Sequence, residues 1–345
     1  MEIKNILICT LRYVNYNDEG LMKNYHIPFQ LLSNLVDTLN SIKSFNVHTF
    51  FFDEHLEQYP GSNFKISLIN LLREKKPDLI VFDQLLLGFV SPVHSLTNKL
   101  QKFEIPFYQS FFYYIKKNLK IPLVICWTDL QLGLSIDVAK QLEDYVTLHN
   151  VWDIKRDESF GKNYLFTPSP INSEVYNNLV SADRYIDISF VGSIGSKPDR
   201  QKILNSINKL KLNSEIRAGG LWSGKDTFLT DNQCADIYRR SKMVINFCLN
   251  EEGKAQIKGR VFETTLCGAL LLEQENNETS QYLTPYIDYI PWKDENDLIE
   301  KIKYYLSHDE ERKAITLSGS EKANKLYTGK VYWELLLKKI NNVLV

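Results

Sequence analysis

Apolar and polar positions along this chain alternate between two rhythms. Short apolar runs at Asn5 to Thr10, Asn46 to Phe52, Asp78 to Phe82, Leu123 to Trp127 and Tyr145 to His149 read as buried strands. Between them, apolar residues recur with helical spacing at 28–42, 62–75, 98–118 and 131–143. Pro77 and Pro122 stand at strand starts, where a missing backbone N–H is tolerated. This alternation predicts a mainly parallel sheet with helices on both faces.

The segment FTPSPINSEVYNNLVSADRYID, from Phe166 to Asp187, breaks the rhythm with two prolines and a polar cluster and reads as a linker. The alternation then restarts with a strand at 187–192, a helix from Asp199 to Leu210, a strand at Glu215 to Ala218 and a helix from Asp231 to Arg240. Strands follow at Met243 to Phe247, Ala269 to Leu272 and Ile287 to Pro291, then helices near 294–307 and 309–325. The closing stretch VYWELLLKKINNVLV is amphipathic and could cap either half. The pattern predicts an N-terminal domain over 1–170, a C-terminal domain over 171–325 and a terminal helix over 326–345 that could return to the N-terminal domain. The fold class expected is α/β, with two doubly wound Rossmann-like domains facing a central cleft, because open parallel sheets bind ligands at the carboxyl ends of their strands.

Composition narrows the functions. A net charge of -1 gives no bulk attraction to nucleic acid or anionic lipid, so an anion site has to be local. The five cysteines are scattered without metal-ligand spacing and read as reduced, buried thiols. No apolar run approaches the roughly 20 residues that span a bilayer, and the N-terminal run is too short for a signal peptide. A cytoplasmic protein is expected, with peripheral attachment at the inner membrane face as an alternative.

The richest stretch is MVINFCLNEEGKAQIKGRVFETTLCGALLLE, from Met243 to Glu273. It reads as strand, polar loop, helix and strand, with the helix opening at Gly259 or Arg260. A helix N-terminus at the carboxyl end of a parallel strand presents orphan N–H groups and a positive dipole end to an anion. Lys258 and Arg260 add cations, and Asn246 ends the strand before the loop. A second small-residue turn, Gly192, Ser193 and Gly195, precedes Lys197 and Arg200 in DISFVGSIGSKPDR, so two anion-friendly loops could face one diphosphate. Glu263, flanked by Phe262 and Leu266, needs a polar partner if buried, and the vicinal hydroxyls of a ribose would supply one.

DISFVGS with Arg200, the strand ending at Asn246, the block GRVFETTLCGALLLE and the segment YIPWKDENDLIEKIKYYLSHDEERKAI resemble the C-terminal domain of CgeB-like glycosyltransferases, within the larger group similar to family 4 GT-B enzymes. The resemblance covers about residues 185–325 and implies the GT-B fold and a nucleotide-sugar donor in the C-terminal domain. By that resemblance the nucleoside lies near Glu263 and the diphosphate near Lys197, Arg200 and Arg260. Retaining members of the larger group commonly carry two glutamates separated by seven residues, and counting back from Glu263 the place of the first holds Ala255, which leaves the stereochemistry open. No DxD triplet occurs, so no metal and no cofactor beyond the donor is expected.

The N-terminal domain is then expected to hold a glycan, lipid-linked or protein acceptor. Arg12, Tyr13 and Tyr16, after the first strand, suit a sugar. Asp129, at the end of LVICWTD, is a candidate base for the acceptor hydroxyl, with His94 and His149 as rivals. A nucleotide-sugar epimerase on the same fold, or a degenerate nucleotide-sugar or glycan-binding module, remain as alternatives. No nucleic-acid partner is expected.

Overall fold

A computed structural model describes residues 2–14, 27–28, 32–59, 64–88, 105–128, 135–154, 160–178, 183–194, 198–218, 229–250 and 253–344. The chain divides into two compact units, Met1–Pro168 with Tyr332–Val345, and Ser169–Val331.

In the first unit the strands are β1 (Asn5–Thr10), a short antiparallel pair β2 (Tyr13–Val14) and β3 (Ile27–Pro28), then β4 (Asn46–Phe51), β5 (Leu79–Asp83), β6 (Leu123–Trp127), β7 (Leu148–Val151) and β8 (Tyr164–Phe166). Apart from the short pair they form one parallel sheet in the order β4-β1-β5-β6-β7-β8. Its helices are α1 (Thr38–Ser41), α2 (Phe52–Gln58), α3 (Phe64–Lys75), α4 (Ile105–Tyr114) and α5 (Ser135–Gln141). Continuous apolar strands follow from burial on both faces. Leu7 and Cys9 point into a cluster with Phe64, Phe82 and Phe111, while Ile6 and Ile8 point into one with Leu35, Leu79 and Trp333.

The second unit carries β9 (Ile186–Gly192), β10 (Ser214–Ala218), β11 (Ser241–Asn246), β12 (Leu270–Gln274) and β13 (Ile290–Trp292), parallel throughout, in the order β10-β9-β11-β12-β13. Around it lie α6 (Pro198–Asn208), α7 (Asp231–Arg240), α8 (Gly259–Leu266), α9 (Glu295–Ser307) and α10 (Asp309–Leu326). Thr230 and Gln233 close a capping box at the start of α7. Gly268, with φ +69°, lets the chain leave α8 and drop directly into β12. In each sheet the strand order reverses once, between β1 and β5 and between β9 and β11. Those are the topological switch points at which such folds bind ligands.

The terminal helix α11 (Gly329–Leu344) contributes to the first unit. Trp333 donates from Nε1 to the Leu35 carbonyl at 3.2 Å, and Tyr332 donates its hydroxyl to Asn150 Oδ1 at 2.7 Å. The expected linker begins inside the first unit, where Phe166 closes β8, and from Ser169 it is a built part of the second unit, with Ile171 and Tyr176 buried in its core. The strand expected over Tyr145 to His149 begins at Leu148, because residues 142–145 turn out of α5, with the Tyr145 N–H on the Leu142 carbonyl. Likewise β13 starts at Ile290 rather than Ile287, because the Asp288 carboxylate accepts from the Thr284 N–H and ties 284–288 into a turn. No helix among the described residues is long and apolar enough to cross a membrane.

Candidate donor-binding site

The carboxyl ends of β9 and β11 meet the starts of α6 and α8 at the switch point of the second sheet. Arg260, second residue of α8, donates from Nη1 to Asn246 Oδ1 at 2.5 Å, and its guanidinium lies 5.0 Å from the Phe190 ring centroid. Arg200, 8% exposed, donates from Nη1 to the Ser193 carbonyl at 2.6 Å and lies 4.8 Å from the Phe247 ring centroid. The two rings meet edge to face at 5.5 Å. Each guanidinium thus has an aromatic face to lie on, a contact that suits the flat, weakly hydrated arginine head.

Gly192 makes this packing possible. A Cβ there would sit 2.1 Å from Arg260 Nη2, so only glycine admits the guanidinium this close to the end of β9.

Two like charges drawn out of water repel. Burial, and then the neighbouring charge of Arg260, push Arg200 down to about 10. Arg260 Nε is buried without a hydrogen-bond partner among the described residues. Such a pair is costly until an anion joins it. The N-terminus of α8 adds to the pull, since Lys258 is extended there and gives the helix no side-chain cap. The Lys258 ammonium itself donates to Gln256 Oε1, a buried side chain.

Glu263 lies one turn into α8 and is 5% exposed. A Cβ at Gly259 would come within 3.1 Å of Glu263 Oε1 and 3.5 Å of Ser169 Oγ, which places the carboxylate beside the helix start. The sequence-selected Gly192, Ser193, Arg200, Asn246, Lys258, Gly259, Arg260 and Glu263 therefore gather around one strand-end region; Gly195 and Lys197 lie outside the described residues. Three residues packed around the site went unrecognised. Phe190 and Phe247 looked like core, and Glu273 looked like the end of an apolar run. Glu273 is fully buried and accepts from Asn246 Nδ2 at 2.7 Å.

In the first unit, the N–H groups of Arg12 and Tyr13 both bond the Asp53 carboxylate at 2.9 Å. The Arg12 guanidinium pairs with Glu54 at 2.8 Å and is 42% exposed, so a ligand there would compete with that pair. Tyr16, His94 and Asp129 lie outside the described residues.

The expectation for His149 is corrected. Its imidazole is completely buried in β7, stacked on Tyr164 at 4.6 Å, and its Nδ1 accepts from Trp127 Nε1 at 2.9 Å. Burial pushes it down to about 3, so it is a neutral core histidine out of an acceptor's reach. The carboxylate that stands at the first sheet's switch point is Asp83, which sequence reasoning passed over. Burial pushes it up to about 6, against hydrogen bonds from the Leu85 N–H and Thr10 Oγ1, each at 3.0 Å. A lone acid closing the run LIVFD was the available signal.

Among known proteins, residues 200–338 match the family described as "Glycosyl transferase-like". The whole chain is similar in fold to solved glycosyltransferases. HepE from Anabaena, solved in complex with UDP-glucose, superposes with a TM-score of 0.61 at 10% identity, over 98% of this chain and 99% of that one. Sucrose-phosphate synthase from Thermosynechococcus elongatus gives 0.62 at 9% identity, over 98% and 99%. A glycosyltransferase from Rickettsia africae gives 0.58 at 10% identity, over 100% and 99%. No curated protein matches at the level of sequence. The fold is GT-B, two parallel-sheet α/β domains.

Proposed function

We propose that the protein is a glycosyltransferase that moves a sugar from a nucleotide diphosphate donor to a glycan, lipid-linked or protein acceptor. The observation that carries this reading is the pair of buried Arg200 and half-buried Arg260 at the switch point of the second sheet, each lying on an aromatic ring and neither in a salt bridge among the described residues. UDP-glucose in the HepE structure indicates the kind of donor such a fold accepts. In this reading the diphosphate lies against Arg200, Arg260 and the N–H groups of α8, and Glu263 accepts hydrogen bonds from the ribose hydroxyls.

In the reaction the bond between the anomeric carbon and the diphosphate oxygen breaks, and its electron pair leaves on the phosphate. The acceptor oxygen bonds the same carbon and gives up its proton to a base. The arginines stabilise the charge that builds on the leaving diphosphate, the part of the transition state that differs most from the bound donor. That division of labour needs no metal. Asp129 and His94 are the acceptor bases proposed from sequence position, with Arg12, Tyr13 and Tyr16 as acceptor contacts. Within the larger class we place the chain with the CgeB-like enzymes, on the blocks quoted above.

The test is release of nucleoside diphosphate from a panel of UDP-, GDP- and ADP-sugars, with and without candidate acceptors. Acceptor-dependent release supports transfer. Conversion of the sugar without acceptor would make the protein an epimerase, and binding without turnover a recognition module.

A further inference from the structure

Glu273 stands behind the site rather than in it. It is the last residue but one of β12, where it is the ladder partner of Asn246 at the end of β11. Ladder partners in parallel strands project to the same face, which brings the two side chains together. The carboxylate accepts three hydrogen bonds: Asn246 Nδ2 to Oε2 at 2.7 Å, Asn276 Nδ2 to Oε1 at 2.9 Å and Thr279 Oγ1 to Oε1 at 3.0 Å. On its far side, the Asn246 amide accepts from Arg260 through Oδ1.

A carboxylate only accepts and a guanidinium only donates, so one orientation of the Asn246 amide satisfies both. Turned over, the amide would set its NH2 against the guanidinium and its oxygen against the carboxylate, and both contacts would repel. The carboxylate therefore dictates which way Asn246 faces, and Asn246 dictates where the Arg260 guanidinium sits.

We propose that Glu273 is a positioning residue for the donor diphosphate, acting through the Asn246 amide to hold the Arg260 guanidinium over Gly192. The inference rests on the donor-site reading above. It also gives the site a dependence on protonation. Burial pushes Glu273 up to about 7, against the hydrogen bonds from Asn246, Thr279 and Asn276 and the charge of Arg260. A protonated carboxyl has a hydrogen to donate, and the Asn276 oxygen already takes the Thr279 N–H at 2.7 Å. When that hydrogen lies on the oxygen facing Asn246, the Asn246 NH2 loses its acceptor there, and the amide is no longer held with its oxygen toward Arg260. The other titratable groups facing Glu273 are Cys248, whose thiol burial pushes up to about 12, and Tyr289, whose phenol burial also raises; both stay neutral near pH 7.

A double-mutant cycle tests this. Wild type, Glu273→Gln, Arg260→Ala and the double variant are titrated calorimetrically with UDP, GDP and ADP. Glu273→Gln should weaken the preferred diphosphate by about tenfold when Arg260 is present and by less than about twofold when it is absent. Equal losses in both backgrounds would mean that Glu273 supports the fold generally, and would overturn the proposal while leaving the donor site standing. A wild type that binds none of the three diphosphates would overturn both.

A second arm needs no substitution. Wild-type affinity for the matching nucleotide sugar, whose phosphodiester groups stay ionised throughout, should fall as pH is lowered from about 8 to about 6, through the Glu273 transition. A flat profile would overturn the proposal even if Glu273→Gln failed to fold.

Discussion

The two sheets share a winding pattern and differ in what they place at their strand ends. In the first unit, β4, β5 and β7 run out into acids: Asp53, Asp83 and Asp153 are all buried there. Two of them are occupied in holding the chain, Asp53 on the Arg12 and Tyr13 N–H groups and Asp83 on Thr10 and the Leu85 N–H. In the second unit the ends of β9 and β11 lead to Arg200 and Arg260, seated on Phe247 and Phe190, with the buried Glu273 of β12 turned to Asn246 behind them. The winding decides where a ligand can sit, and the side chains decide its charge. An anionic donor suits the second sheet, and a neutral acceptor or a proton acceptor suits the first.

The strongest way to break this contrast is Arg260→Ala. It removes a charged donor from the anion side, and hydrogen bonds to charged groups contribute about 1.5 to 3 kcal/mol, so diphosphate affinity should fall by about tenfold to a hundredfold. Affinity for the bare nucleoside should change by less than about twofold. Gly192→Ala tests the same seat from the backbone side. Its Cβ collides with Arg260 Nη2, so diphosphate affinity should drop by about tenfold, and the φ of +159°, which a side chain disfavours, should lower the melting temperature as well. Glu263→Gln keeps shape and loses charge; it should weaken diphosphate and nucleoside alike by about tenfold, a pattern that separates a ribose contact from a phosphate contact.

The smallest effect on the donor is expected from Asp83→Asn, in the opposite sheet. Donor affinity should stay within about twofold, and the change should appear in stability against pH. Burial raises the folded-state value of Asp83 to about 6, so this group favours folding at pH below its unfolded value and loses that contribution as pH rises through about 6. Relative to wild type, Asp83→Asn should therefore gain melting temperature between about pH 4 and about pH 8. An unchanged difference across that range would show that Asp83 is not desolvated.

Much of the frame was legible because burial on both faces of a parallel sheet writes itself as uninterrupted apolar runs. Asn5 to Thr10, Leu123 to Trp127 and the helix Asp231 to Arg240 fall where their patterns put them. The anion-friendly loops were legible for a similar reason, since glycine and cations beside a strand end are local features. Whatever depended on residues far apart in the chain was not. His149 resembles any histidine closing a strand, and only the approach of Trp127 and Tyr164 turns it into core. Glu273 and Asp83 each end an apolar run as a solvent-facing acid would, and their burial comes from neighbouring strands. The pairing of Arg200 with Phe247 and of Arg260 with Phe190 likewise joins segments that periodicity treats separately.

The central claim is that the second sheet's switch point holds a diphosphate. Its most direct measurement is calorimetric titration of the wild-type protein with a nucleoside diphosphate and with the nucleoside of the same base, at fixed low salt. The account predicts that the diphosphate binds at least about a hundredfold more tightly, because Arg200, Arg260 and the start of α8 act on the phosphates alone. Equal affinities for the two would contradict it.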